Sequence, residues 1–156
     1  MILLAHLLLG ATIASKIENI PLAIILAFLS HYFLDFFPHI EYRIENIKNK
    51  QWSKSFPDFL RVFLDFFSGI LIILLFAGVQ PIIFAVSLFS ILPDGLNFLN
   101  LIFKNKLLKI HFNLHEKIHF LENKKISVFW RITSQALIII ISLILIYLGR
   151  FFPPSF

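Results

Sequence analysis

The chain has 156 residues, enough for one domain; 58% are hydrophobic, only 15% are charged, and the mean hydropathy is +0.86. A soluble domain of this size leaves much of its surface in water and carries about 25% charged residues, so an ordinary water-soluble globule is excluded. The absence of cysteine excludes disulfides, Cys-ligated zinc and a thiol nucleophile, and the net charge of +5 points to anionic headgroups and membrane orientation instead of nucleic acid.

Residues 2–15 are an apolar run ending in small residues (Ala11, Ala14, Ser15). No basic segment precedes it and His6 interrupts it, so it reads as a retained helix and not a cleaved signal peptide. It is short for a full crossing. Asn19 and Pro21 then provide a cap and a first turn for an apolar helix over 20–37, which Pro38 ends. Ser55 and Asp58 have capping-box spacing around Pro57, ahead of a span over 59–78. Gly78 and Pro81 make an uncharged turn into a span over 82–103, and Ser127 caps the last one, over 128–148. These four stretches approach the ~20 residues that cross a bilayer. Between the last two, Leu107, Ile110, Leu114, Ile118 and Leu121 repeat at helical spacing among lysines, an amphipathic helix over 105–122 lying on the membrane surface. The expectation is one all-α integral-membrane domain over residues 1–156: a polytopic bundle of about five membrane helices plus one amphipathic interfacial helix.

Loop charge orients this bundle. Arg43, Lys48, Lys50 and Lys54 lie in one loop, and Lys104, Lys106, Lys109, Lys117, Lys124 and Lys125 in another. Alternation puts both on one side, which the positive-inside rule makes cytoplasmic. The N-terminus is then expected on the inner side of the membrane and the C-terminus on the outer side.

Ionisable groups inside spans cost about 2.5–3.5 kcal/mol or more each, so each needs a partner. His6 falls in the first helix, His31 and Asp35 in the second with His39 just beyond, Asp65 in the third and Asp94 in the fourth. All fall in the inner half of the membrane. His31, Asp35 and His39 are spaced by four, which puts them on one helix face. Imidazole with carboxylate suits Zn²⁺, Mn²⁺ or Fe²⁺, and a buried His–Asp hydrogen bond fits the spacing equally well. Pro93 removes a backbone hydrogen bond beside Asp94, so a kink there frees a carbonyl and turns the carboxylate toward protein or water. His111, His115 and His119 follow at intervals of four on the surface helix; His111 reads as a polar-face residue, while His115 and His119 read as ligands. His115-Glu116-x-x-His119 also matches the zinc-protease pattern, but Glu116 falls opposite the apolar stripe, among lysines. Asp65 reads as a carboxylate that orients a histidine ligand.

His6, the Ser30-His31-Tyr32-Phe33-Leu34-Asp35-Phe36-Phe37-Pro38-His39 stretch, Leu92-Pro93-Asp94 and the His115/His119 pair together resemble bacterial inner-membrane proteins described as membrane-bound metal-dependent hydrolases. In better-known members the Pro-Asp segment precedes His-x-x-x-Asp; here it follows. The resemblance, with its distant analogy to zinc-dependent phospholipase C, implies one or two divalent ions, zinc or else manganese. They would be held by His6, His31, Asp35, Asp94, His115 and His119, with Asp35 and Asp94 as the catalytic carboxylates. It implies a hydrolase acting near the cytoplasmic leaflet on a lipid phosphoester, with membrane lipid and a lipid-like substrate as partners and no nucleic acid. Two alternatives stay open: an intramembrane zinc metalloprotease with Glu116 as base and Asp94 as third ligand, and a non-enzymatic membrane protein with a structural or transport metal site.

Overall fold

The computed structural model describes residues 1–119 and 126–149. Every regular element among them is helical: α1 (Leu3–Ala14), α2 (Ile20–Asp35), the short α3 (Glu45–Lys48), α4 (Phe56–Ala77), α5 (Pro81–Phe89), α6 (Leu92–Ile102), α7 (Lys106–Ile118) and α8 (Val128–Gly149).

A helix that is apolar all round belongs in the middle of a bundle, and α1 sits there, packed against α2, α4, α5 and α8. Ala5, Leu7, Leu8, Ala11 and Ala14 are buried on it. Small residues set how closely its neighbours approach. A Cβ added to Gly10 would stand 2.8 Å from Ser90 Oγ and 2.9 Å from Ser87 Cα on the α5 side, so only glycine fits that crossing.

α1 has no side-chain cap of its own. Asp65 Oδ2 on α4 instead accepts from Leu4 N at 2.9 Å, and Tyr42 Oη accepts from Leu3 N at 2.9 Å. The first turn, which leaves backbone N–H groups unpaired, is therefore capped from another part of the chain. α2 starts as its sequence indicates: Leu22 N donates to Asn19 Oδ1 at 3.0 Å, with Pro21 in the first turn. The expected capping box at Ser55 does not form. Ser55 Oγ donates to Gln51 O, while Asp58 Oδ2 accepts from Asn46 N at 3.0 Å and Ile47 N at 3.3 Å, serving α3. A short helix folded back onto the start of α4 outcompetes the local pairing.

The expected span over 82–103 is two helices. α5 and α6 are bent by 52° across Ser90 and Ile91, two residues before Pro93 in the first turn of α6. α7 begins with Leu107 N donating to Asn105 Oδ1 at 2.8 Å; the end of the expected amphipathic helix, with Leu121 and Glu122, and the loop lysines Lys124 and Lys125 lie outside the described residues. On α7, Leu107, Ile110 and Leu114 are exposed and His115 is buried.

Two helices, α4 and α8, are long and apolar enough to cross a membrane, and the bent α5–α6 pair makes a third if taken as one broken span. α1 and α2, with 12 and 16 residues, are apolar but shorter. At 1.5 Å per residue they reach ~18 and ~24 Å, against a hydrocarbon core of ~30 Å. The helix lengths thus give two full crossings, or three, where the sequence reading expected about five. Outward faces of the long helices are apolar: Phe63, Leu75 and Ile132 are 59%, 62% and 52% exposed, a surface suited to lipid and not to water.

Candidate metal centre

Each of the six expected ligands lies at one end of the bundle, around Asp35. That residue is the last of α2, buried, and both its oxygens face imidazoles. Oδ2 lies 3.0 Å from His31 Nε2, 3.3 Å from His115 Nε2 and 3.1 Å from His119 Nε2. Oδ1 lies 3.3 Å from His6 Nε2, 4.0 Å from His39 Nε2 and 2.8 Å from the Met1 nitrogen. Asp94, in the first turn of α6, places Oδ1 3.5 Å from His31 Nε2 and 3.7 Å from His115 Nε2.

Backbone around the helix break sets the His31 ring. Its Nδ1 is 2.8 Å from the Ser90 carbonyl, which can only accept, so Nδ1 carries the proton and Nε2 presents its lone pair. The same carbonyl lies where the α5–α6 break releases it from helical pairing. Ser90 Oγ donates to the His6 carbonyl at 2.7 Å, so one residue holds both histidine-bearing helices. His6 stacks on His31 with ring centroids 4.1 Å apart. Neither His6 nitrogen has a hydrogen-bond partner among the described residues. Its Nε2 lies 3.3 Å from the Asp35 carboxylate without hydrogen-bond alignment, so this fully buried imidazole keeps an unfilled polar position.

His31 Nε2 and His115 Nε2 are 2.9 Å apart. Two lone pairs repel at that distance unless a proton or a cation lies between them. With the two aspartates, these nitrogens form a group whose ligand atoms all lie within 4.8 Å of one another and which could hold a metal ion. Its five measured edges run from 2.9 to 3.7 Å. They straddle the ~3.3–3.4 Å edge of a tetrahedron with metal–ligand bonds of ~2.0–2.1 Å. The donor set and its spacing therefore fit a divalent cation. The Asp94 side chain is 34% exposed while those of His31 and Asp35 are fully buried, so the group opens past Asp94.

Asp35, His39 and His119 make a second such group. His39 Nδ1 donates to the Phe37 carbonyl at 2.7 Å, as His31 Nδ1 does to that of Ser90, which turns the His39 Nε2 toward Glu41. Glu41 completes the surroundings, with Oε1 3.2 Å from both His39 Nε2 and His119 Nδ1. Sequence reading passed over Glu41. The signal available was local: residues 38–44 form no helix, and in extended chain residues two apart share a side, so Glu41 follows His39. Two polar residues of α8 hold this segment. Ser134 Oγ donates to the Pro38 carbonyl, and Gln135 Oε1 accepts from Ile40 N at 3.3 Å.

Electrostatics outside the spans follow from these contacts. Burial opposes charge on His119, but the Asp35 and Glu41 carboxylates outweigh it and raise its pKa to about 10. Burial likewise opposes ionisation of Glu41, yet hydrogen bonds from His119 and His39 hold it far below the usual carboxylate range.

The remaining candidates lie apart from Asp35. His111 Nε2 pairs with Tyr32 Oη at 2.9 Å. Asp65 orients no histidine: its carboxylate accepts from Tyr42 Oη and Leu4 N, because the free N–H groups of α1 claim it. Glu116 is exposed, whereas His115 and His119 are buried. No protein-family model, curated protein or solved structure matches this chain.

Proposed function

We propose that the chain is a membrane-embedded, metal-dependent hydrolase that acts near the cytoplasmic leaflet on a lipid phosphoester. The single observation behind this reading is the convergence of His31, Asp35, Asp94 and His115 at tetrahedral spacing inside an apolar bundle. Zinc fits the mixed imidazole–carboxylate set best, with manganese as the alternative. A divalent cation there supplies Lewis acidity toward a phosphoryl oxygen and a more acidic water.

The chain's own residues do the rest. The Ser90 carbonyl fixes the His31 tautomer, and Asp35 keeps His31 and His115 in register. Asp94, on the open side, is placed to accept a proton from an attacking water. Exposed Lys104, Lys106 and Lys109 lead into α7, the helix that carries His115, and suit a phosphate headgroup. The exposed Leu107, Ile110 and Leu114 suit the acyl boundary beside it. In this reading α1 and α2 enter the bilayer as short, partial crossings. The two basic loops face the cytoplasm of a prokaryotic cell, with the N-terminus on the same side. The exposure of Glu116 argues against the protease alternative, in which that residue must reach the metal water.

The test is phosphate release from phosphatidic acid and polyprenyl phosphates by the purified protein in detergent, alongside its metal content. Chelator-sensitive turnover that disappears in Asp94→Asn and persists in Glu116→Gln is the expected result. A correctly folded wild type that holds no metal, or turns over none of these lipids when metal-loaded, overturns the reading.

A further inference from the structure

We infer that the site holds two cations, the second bound by Asp35, His39 and His119 with Glu41 beside them, and that the Asp35 carboxylate bridges the pair. This rests on the metal-dependent reading above.

Asp35 is the one residue common to the two groups of converging ligand atoms. Oδ2 faces His31, His115 and His119, while Oδ1 lies 2.8 Å from the Met1 nitrogen, 3.3 Å from His6 Nε2 and 4.0 Å from His39 Nε2. A carboxylate offers about four lone-pair directions, two on each oxygen, so it can serve an ion on either side. His119 stands at the seam, with Nε2 3.1 Å from Asp35 Oδ2 and its ring 4.6 Å from that of His115 and 5.3 Å from that of His39.

Asp35, Asp94 and Glu41 bring three carboxylates to one end of an apolar bundle, and the side chains that meet them are imidazoles. The Met1 ammonium, 2.8 Å from Asp35 Oδ1 and 3.9 Å from Glu41 Oε1, answers one of these charges, and divalent cations among neutral imidazole ligands answer the others. The second group is also built like the first. His39 has its Nδ1 proton tied to a backbone carbonyl, as His31 does, and its Nε2 directed inward. Both sets of ligands are then held by a surrounding shell: Ser90 for the first, and Ser134 and Gln135 through the 38–40 segment for the second. The rival arrangement is a proton shared between His119 and Glu41 with one ion only.

Metal counting decides between them without reference to activity. The purified full chain in detergent is saturated with Zn²⁺, freed of loose ion by gel filtration, and assayed by mass spectrometry. Two equivalents per chain are expected, falling to one in His39→Ala. In Glu41→Gln, the milder variant, the affinity for the second equivalent falls about 10–100-fold. Mn²⁺ loading is expected to give the spin-coupled resonance of a bridged pair. One equivalent in the wild type, lost in His31→Ala and unchanged in His39→Ala, overturns the second ion while leaving the single-metal reading standing. Two equivalents with uncoupled Mn²⁺ signals overturn the bridge. No bound metal in a folded wild type overturns both. If His39→Ala does not fold, the wild-type count and Glu41→Gln still decide.

Discussion

Asp35 and Asp65 are both aspartates set in apolar helices, and they solve the same problem in opposite ways. Asp65 meets two groups that donate to it, the Leu4 amide and the Tyr42 hydroxyl, and its charge is answered by hydrogen bonds. Asp35 meets imidazoles, which can each present a lone pair as readily as a proton, and five of them lie within 4.0 Å of one oxygen or the other, with His39 the most distant and His6, His31, His115 and His119 closer. The first arrangement is complete and caps a helix. The second has the Met1 ammonium 2.8 Å from Oδ1, while on the Oδ2 side the His31 and His115 nitrogens, 2.9 Å apart, are complete only with a proton or a cation between them. Burial of a carboxylate in an apolar helix therefore does not by itself mark chemistry; the donor character of its neighbours does.

Exchanging each carboxylate for a neutral residue tests that distinction. Asp35→Asn removes the shared ligand and is expected to abolish stoichiometric metal binding, measured as retained Zn²⁺ after gel filtration. A variant that keeps its metal breaks the comparison. Asp65→Ala leaves the Leu4 N–H and the Tyr42 hydroxyl without their acceptor, at a cost of about 1–3 kcal/mol. It lowers the unfolding temperature in detergent, while the metal count stays at the wild-type value. A loss of metal in Asp65→Ala would make it a part of the site after all.

The smallest expected effect is on pH dependence. Burial, with the hydrogen bond to Asp65, raises the Tyr42 pKa above its ordinary value of 10.0. The folded state thus keeps the phenol proton where the unfolded chain releases it. That contribution is fully present below pH ~10 and is lost as pH rises beyond it. Wild type is expected to lose stability on the alkaline limb more steeply than Tyr42→Phe, as followed by denaturation midpoints between pH 9 and 11. Parallel limbs would show that Tyr42 is not held as described.

Much of the site was legible because ionisable residues in apolar helices are conspicuous and expensive. His6, His31, Asp35, Asp94, His115 and His119 stand out against leucine and phenylalanine, and spacing by four assigns their faces. Pro93 likewise announces the break before α6. Glu41 was silent because it sits in a polar loop, where a carboxylate needs no explanation. The Asp65 and Asp58 roles were misread for a shared reason: each caps a helix that is remote in sequence or folded back, and local spacing rules see only neighbours. Span number was legible only in part. Hydropathy records how apolar a stretch is, whereas α1 and α2 hold 12 and 16 helical residues, short of a full crossing by length alone.

Ser90 grips the α1 carbonyl at His6 with its hydroxyl and the α2 ring at His31 with its own carbonyl. Helices delivered to a bilayer in order of synthesis bring those two histidines early and Ser90 only after α4 has been made. Until Ser90 is made, the chain lacks the carbonyl that fixes the His31 ring, so the converging side chains around Asp35 take their final arrangement only when the later helices close around the earlier ones.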